Sequence, residues 1–167
     1  FNSLSYLLLL LIVVTLYWQL PYRSRLILIF GSSLIFYGFW KIKFIPILLI
    51  SVIVDWWISQ KMLKSDKPKK FFLLLSSLIT NLGLLFYFKY LIFFANSSIG
   101  LANFFGADLD PIFLKIILPL GISFYTFQTI SYTVDVYRGF IKPEKDLLLF
   151  ACYVTFFPQL VAGPILR

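Results

Sequence analysis

The sequence predicts an all-α protein that crosses a membrane several times, and three observations carry that prediction. Of 167 residues, 60% are hydrophobic and 13% charged, whereas a soluble domain runs at about 45–50% and 25%; mean hydropathy is +0.92. The apolar residues gather into about six stretches, most close to the roughly 20 residues a spanning helix needs, without the two-residue alternation of a membrane barrel. The basic residues fall mainly in alternate links between those stretches. Such hydrophobicity excludes intrinsic disorder. The single cysteine excludes a disulfide framework or a cysteine-ligated metal site. There is no histidine at all, so no imidazole base, shuttle or metal ligand is available.

Taken in order, residues 4–20 (LSYLLLLLIVVTLYWQL) form an uncharged run ending at Pro21, with Tyr17 and Trp18 as interface anchors. It lacks the basic n-region and small-residue cleavage site of a signal peptide. It is expected to be a retained span, and the leading Phe implies an initiating Met lost upstream. Residues 26–40 (LILIFGSSLIFYGFW) form a second span. Residues 44–60 form a third, entered through Pro46, where a missing N–H costs little. A polar linker, Lys61 to Lys70, precedes a fourth span at 71–95 that contains Asn81, Gly83 and Lys89. Residues 96–110 suit a loop or an interfacial helix, and Asp110-Pro111 has the form of an N-cap followed by a proline at N1. A fifth span, 112–137, is interrupted at Pro119 and Gly121; a sixth, 147–162, is broken at Pro158 and again at Gly163-Pro164.

With the N-terminus outside, the inner links hold Arg23 and Arg25, then Lys61, Lys64, Lys67, Lys69 and Lys70, then Arg138, Lys142 and Lys145. Ten basic residues then face Lys41, Lys43 and Lys115 on the outside. This bias predicts an N-out, multi-pass protein and accounts for the net charge of +8 without nucleic acid.

Polar groups inside spans are costly and face a bundle interior, so they are candidate functional residues. Gln128, Ser131, Tyr132 and Asp135 recur at i, i+3, i+4 and i+7 and share one helix face. Ser123 and Tyr125 lie a turn or more earlier, near the Pro119/Gly121 break. Such a stripe lines either a helix interface or a water-filled cavity. Arg138 is three residues beyond Asp135, close enough to neutralise it or to anchor the helix end. In FFPQLVAGPILR (156–167), two prolines forbid a regular helix, and Gln159 and Arg167 mark a polar wall. Asp55, late in the third span, is either a functional carboxylate or an interfacial one helped by Lys61 and Lys64. Lys89 is placed to snorkel, Asn81 with Gly83 to pack helices, and Cys152 to be buried. No phosphate loop, nucleophile elbow or metal cluster is present in the sequence.

The two long motifs, PLGISFYTFQTISYTVDVYRG (119–139) and FFPQLVAGPILR, resemble the bacterial branch of the membrane-bound O-acyltransferases, which serves alginate and peptidoglycan O-acetylation and D-alanyl transfer to teichoic acid. YGFW at 37–40, VDWW around Asp55 and NLGLLFYFKY at 81–90 extend the likeness along the whole chain. The resemblance implies the N-terminal part of a polytopic enzyme in the bacterial inner membrane, its helices surrounding a funnel. Across that funnel an acyl group, by implication acetyl, passes from a cytoplasmic donor (acyl-CoA or an acyl-carrier protein) to a hydroxyl of an exported or envelope polysaccharide. It also implies a periplasmic or extracellular acyltransferase partner and a catalytic histidine downstream of this segment.

On that basis Gln128, Ser131, Tyr132, Asp135, Arg138, Gln159 and Arg167 are expected to line the funnel, with Asp55, Ser123 and Tyr125 as further candidates. They would orient the donor rather than move the proton, and no cofactor is expected to be bound. Residues 1–167 would then be one incomplete domain, inactive and unstable alone. The rival readings are half of a transporter or channel, whose broken helices would recur in a second copy, and a non-enzymatic scaffold of a polysaccharide export complex.

Overall fold

A computed structural model describes residues 4–106 and 118–162, with side chains as far as residue 160. The described residues contain helices and turns and no strand. Helix α1 spans Leu4–Gln19, α2 Tyr22–Lys41, α3 Ile45–Leu63, α4 Lys67–Leu85, α5 Leu91–Phe104, α6 Ile122–Arg138, α7 Leu147–Thr155 and α8 Gln159–Ala162.

Local chemistry explains the joints. An extended Lys41 and a 3₁₀ turn at Ile42–Phe44 separate α2 from α3, whose first turn holds Pro46. The expected polar linker at 61–70 is much shorter in the structure. Lys61 belongs to the last turn of α3, and α4 begins at Lys67 behind an extended Asp66, with Pro68 in its first turn. The reason is that lysine propagates a helix well and proline is tolerated at its start. Residues 96–104 are helical, within α5, and join α4 through a π turn at Phe86–Tyr90. Helix α6 lies between two left-handed glycines, Gly121 (φ 67°) and Gly139 (φ 80°). At its far end the N–H groups of Gly139 and Phe140 bond the carbonyls of Val136 and Asp135, the glycine stop expected of a C-terminus. Asp146 caps α7 by accepting from the Leu148 N–H at 3.0 Å, while Arg23 donates to its other oxygen at 2.8 Å.

Side-chain pairs fix an up-and-down bundle. Asp55 meets Ser77, and Ser51 meets Asn81, so α3 and α4 are antiparallel. Lys70 lies over Tyr137, Asn81 meets Thr129, and Lys89 meets Ser123, so α4 and α6 are antiparallel too. Trp56 and Gln60 both donate to the Glu144 carbonyl, next to the Arg23–Asp146 pair. The N-terminus of α2, the C-termini of α3 and α6 and the N-termini of α4 and α7 therefore share one end of the bundle. That end carries the ten basic residues that the sequence assigns to a single side.

The molecule differs from a soluble globule in its apolar surface and in the polar residues buried beside its apolar core. Asp55, Ser59, Ser77, Asn81, Thr126, Gln128, Thr129 and Thr133 are buried, whereas Leu4 is 75%, Phe39 80% and Phe104 84% exposed. A bilayer reverses the usual preference in this way, because hydrocarbon solvates leucine and polar groups must find partners inside. Two helical stretches are long and apolar enough to cross a membrane by length and composition, Tyr22–Leu63 of 42 residues, which includes the joint at Lys41–Phe44, and Lys67–Phe104 of 38. Helix α1 has 16 residues, α6 has 17 and α7 only nine. Six separate full-length spans are thus more than the described helices establish. The breaks at Pro119/Gly121 and Pro158 are where the sequence places them. Asp110-Pro111, residues 112–117 and the second break at Gly163-Pro164 lie outside the described residues.

Candidate functional site

Helix α6 organises the interior because it presents polar residues on two faces. Thr126, Thr129 and Thr133, at i, i+3 and i+7, are fully buried. Thr129 reaches the α4 residue Asn81, with its hydroxyl 3.2 Å from Oδ1. Ser131, two residues and so about 200° farther round the helix, belongs to the other face. With Tyr132 and Asp135 it lines a cavity of about 540 Å³. The opposite wall is Leu26 and Ile29 of α2, and α7 contributes Phe150, Cys152 and Tyr153. Gln159, at the start of α8, completes the lining. Beside the cavity α7 stops after nine residues: Phe156 leaves the helix (ψ 109°) and the chain turns at Pro158 into α8.

A second cavity of about 460 Å³ is lined by Ser131, Val134, Asp135, Arg138 and Phe140. It shares Ser131 and Asp135 with the first and lies at the basic end of the bundle. Asp135 is half-buried and Arg138 exposed. They do not pair: the ion pair found among the described residues is Arg23–Asp146. Asp135 lies where the two cavities meet, Glu144 lines the first and Arg138 the second, so the linked space combines an apolar body with a hydroxyl, two carboxyl groups and a guanidinium. Such a lining can hold and orient an elongated, partly polar molecule. Among the described residues no histidine, cysteine and carboxylate group is placed to hold a metal ion.

The structure sorts the remaining candidates. Gln128 is fully buried one turn from the cavity; its Nε2 donates to the Tyr153 carbonyl at 2.9 Å and its Oε1 has no partner among the described residues. Tyr132 packs on Phe150 with ring centroids 4.7 Å apart and accepts the Glu144 N–H at 2.8 Å. Tyr125 lies in the apolar core with Tyr37, Leu48 and Phe150, its phenol unpartnered there. Ser123 sits 3.4 Å from the Lys89 ammonium, which also lies over the Tyr90 ring. Arg167 is outside the described residues.

Asp55 is fully buried and lines neither cavity. The Ser77 hydroxyl donates to its Oδ1 at 2.6 Å, and Asn81 Nδ2 reaches both carboxylate oxygens at 2.8 and 2.9 Å. The interfacial alternative for Asp55 fails on burial: Lys61 instead lies 3.8 Å over the Trp57 ring, and Lys64 is exposed.

Sequence reasoning missed Glu144, whose carbonyl ties the 139–146 link to α3, and the threonine face of α6. The i, i+3, i+7 spacing of Thr126, Thr129 and Thr133 was the available signal. Glu144 bonds α3 and Tyr132 through its backbone, which leaves no trace in residue type, while its carboxyl accepts the Asp146 N–H at 2.9 Å.

Comparison with known proteins adds the family. A probable alginate O-acetylase of Pseudomonas putida is 38% identical over 172 residues, covering 100% of this chain and 35% of that protein. The corresponding protein of Azotobacter vinelandii is 35% identical over 91% of this chain and 31% of its own length. The chain belongs to the membrane-bound O-acyltransferase family. A second kind of relative in this family, a peptidoglycan O-acetyltransferase of Helicobacter pylori, is 33% identical over 81% of the chain and 30% of its own length. The chain spans about a third of the length of the curated relatives it matches. No family profile and no solved structure matches it.

Proposed function

We propose that the chain is part of an integral-membrane O-acyltransferase that carries an acetyl group from a cytoplasmic donor to hydroxyls of an exported or envelope polysaccharide. One observation carries this reading: the chain aligns along its whole length with alginate O-acetylases and over four-fifths of it with a peptidoglycan O-acetyltransferase. The apolar surface and buried polar residues of the bundle support a bilayer setting. Its ten-residue basic end supports a cytoplasmic face there, an N-terminus outside and passage by six segments. The donor is a thioester of coenzyme A or of an acyl-carrier protein, and a periplasmic partner hands the acyl group on to the polymer.

Acyl transfer to a hydroxyl needs three things: a held donor, a base for the hydroxyl proton and donors for the developing oxyanion. This chain supplies the first. Ser131, Asp135 and Arg138 hold the polar part of the donor at the basic end, Tyr132 and Gln159 shape the passage, and Gln128 fixes the distance from α6 to α7. The reading assigns proton abstraction to a histidine outside these residues, as the family resemblance implies. In full-length enzyme, Gln128→Ala and Asp135→Asn are expected to lower polysaccharide O-acetylation about tenfold or more, as mispositioning of a reactant does. Wild-type acetylation by both variants refutes the assignment.

A further inference from the structure

We infer that Asp55 is a positioning residue for the cavity face of α6, although it lies in the α3–α4–α6 interface and touches neither cavity. The inference deepens the proposed acyl transfer and rests on it for the catalytic part of its test. The geometry is a relay of three side chains from three helices. Asp55 on α3 holds the Asn81 amide through both carboxylate oxygens, at 2.8 and 2.9 Å. This orients Asn81 so that its Oδ1 faces α6, where Thr129 lies at 3.2 Å, with Ser51 at 3.4 Å. Ser77 at 2.6 Å fixes the carboxylate from the α4 side.

Each member is at most 6% exposed, so water does not compete for the bonds. No cation is among the partners of the carboxyl group in the described residues, which are the Ser77 and Thr129 hydroxyls and the Asn81 amide. A buried carboxylate is expensive without ample donors, and apolar residues would pack three helices at lower cost. What this arrangement adds is direction. Apolar contacts on α6 tolerate rotation about its axis, whereas the Thr129 hydroxyl, lying between the Thr126 carbonyl at 3.1 Å and Asn81 Oδ1 at 3.2 Å, reaches α4 in one orientation of the helix. Fixing Thr129 fixes Ser131 and Asp135 on the other face, because all three belong to one rigid helix.

The test uses full-length protein and has two arms. In the first, Ser131→Cys is labelled with a charged thiol reagent in a background where Cys152 and every other native cysteine of the full-length protein are replaced by alanine. Adding Thr129→Val, which removes the hydroxyl and keeps the volume, is expected to change the labelling rate at least fivefold. Thr129→Ser, which keeps the hydroxyl, is expected to leave it within twofold. Asp55→Asn is expected to act as Thr129→Val does. If Asp55→Asn does not fold, the Thr129 pair carries the test alone. Labelling of the Val variant within twofold of its parent overturns the inference, whether or not the protein acetylates.

In the second arm, polysaccharide acetylation is measured per mole of folded enzyme. The Val and Asn variants are expected to lose about tenfold in kcat with donor KM changed less than threefold, and Thr129→Ser is expected to restore the rate. An unchanged kcat with a lower melting temperature makes Asp55 a structural staple and overturns the positioning role. A wild-type protein that acetylates nothing refutes the proposed function, while the labelling arm still decides the geometry.

Discussion

The contact between Gly121 and Leu160 offers a sharp test of how the broken segment is held. Gly121 precedes α6 at φ 67°, and a Cβ built there would stand 2.4 Å from the Leu160 carbonyl oxygen and 3.3 Å from its Cδ2. Gly121→Ala therefore incurs two costs. A left-handed conformation is unfavourable for an L-residue by about 1–2 kcal/mol, and forcing a methyl against a packed carbonyl adds about 1–3 kcal/mol of overpacking. The expected loss is about 2–5 kcal/mol. Relief requires α8 to move away from α6, which carries Gln159 out of the cavity wall, so acetylation should fall along with stability. The assay is equilibrium unfolding of full-length protein in mixed micelles, followed by helical circular dichroism. Gly83→Ala is the control: nothing lies within 4 Å of its added Cβ, and replacing a mid-helix glycine should gain about 0.5–1 kcal/mol. A Gly121→Ala protein within about 0.5 kcal/mol of wild type, or a Gly83→Ala protein equally damaged, refutes the reasoning.

Three further outcomes are expected. Phe150, 2% exposed between Tyr132 and Tyr153, should cost about 3–5 kcal/mol as Phe150→Ala; Phe93→Ala, on the outward face of α5, should cost under about 0.5 kcal/mol in the same titration. Trp56→Phe removes a 2.9 Å bond to the Glu144 carbonyl, so it should destabilise by about 0.5–1.5 kcal/mol and raise hydrogen exchange selectively in residues 139–146; unaltered exchange there contradicts the anchoring role. For orientation, Lys43→Cys should react with an impermeant reagent added outside intact cells and Ser65→Cys only after permeabilisation. The reverse pattern turns the proposed topology over.

The helical class, the breaks at Gly121 and Pro158 and the common side of the ten basic residues were legible because each depends on local chemistry. Apolar content selects helices in hydrocarbon, proline removes an N–H, glycine admits positive φ, and lysine avoids the bilayer. The i, i+3, i+4, i+7 stripe of α6 was also legible as a face, since helix periodicity alone brings Gln128, Ser131, Tyr132 and Asp135 to one side.

What that face meets was not legible. Whether a polar stripe borders a cavity or a helix depends on how far α7 extends and how α2 lies beside it, and those are decided between segments more than a hundred residues apart. The structure divides the stripe accordingly. Gln128 is sealed against Tyr153, while Ser131, Tyr132 and Asp135 open on the cavity and Asp135 stands apart from Arg138. Asp55 shows the limit most plainly. By sequence it is a carboxylate between valine and tryptophan, close enough to two lysines to suggest an interfacial role. Only packing of α3 against α4 and α6 supplies Ser77, Asn81 and Thr129, and a buried carboxyl group takes its meaning from the partners that surround it.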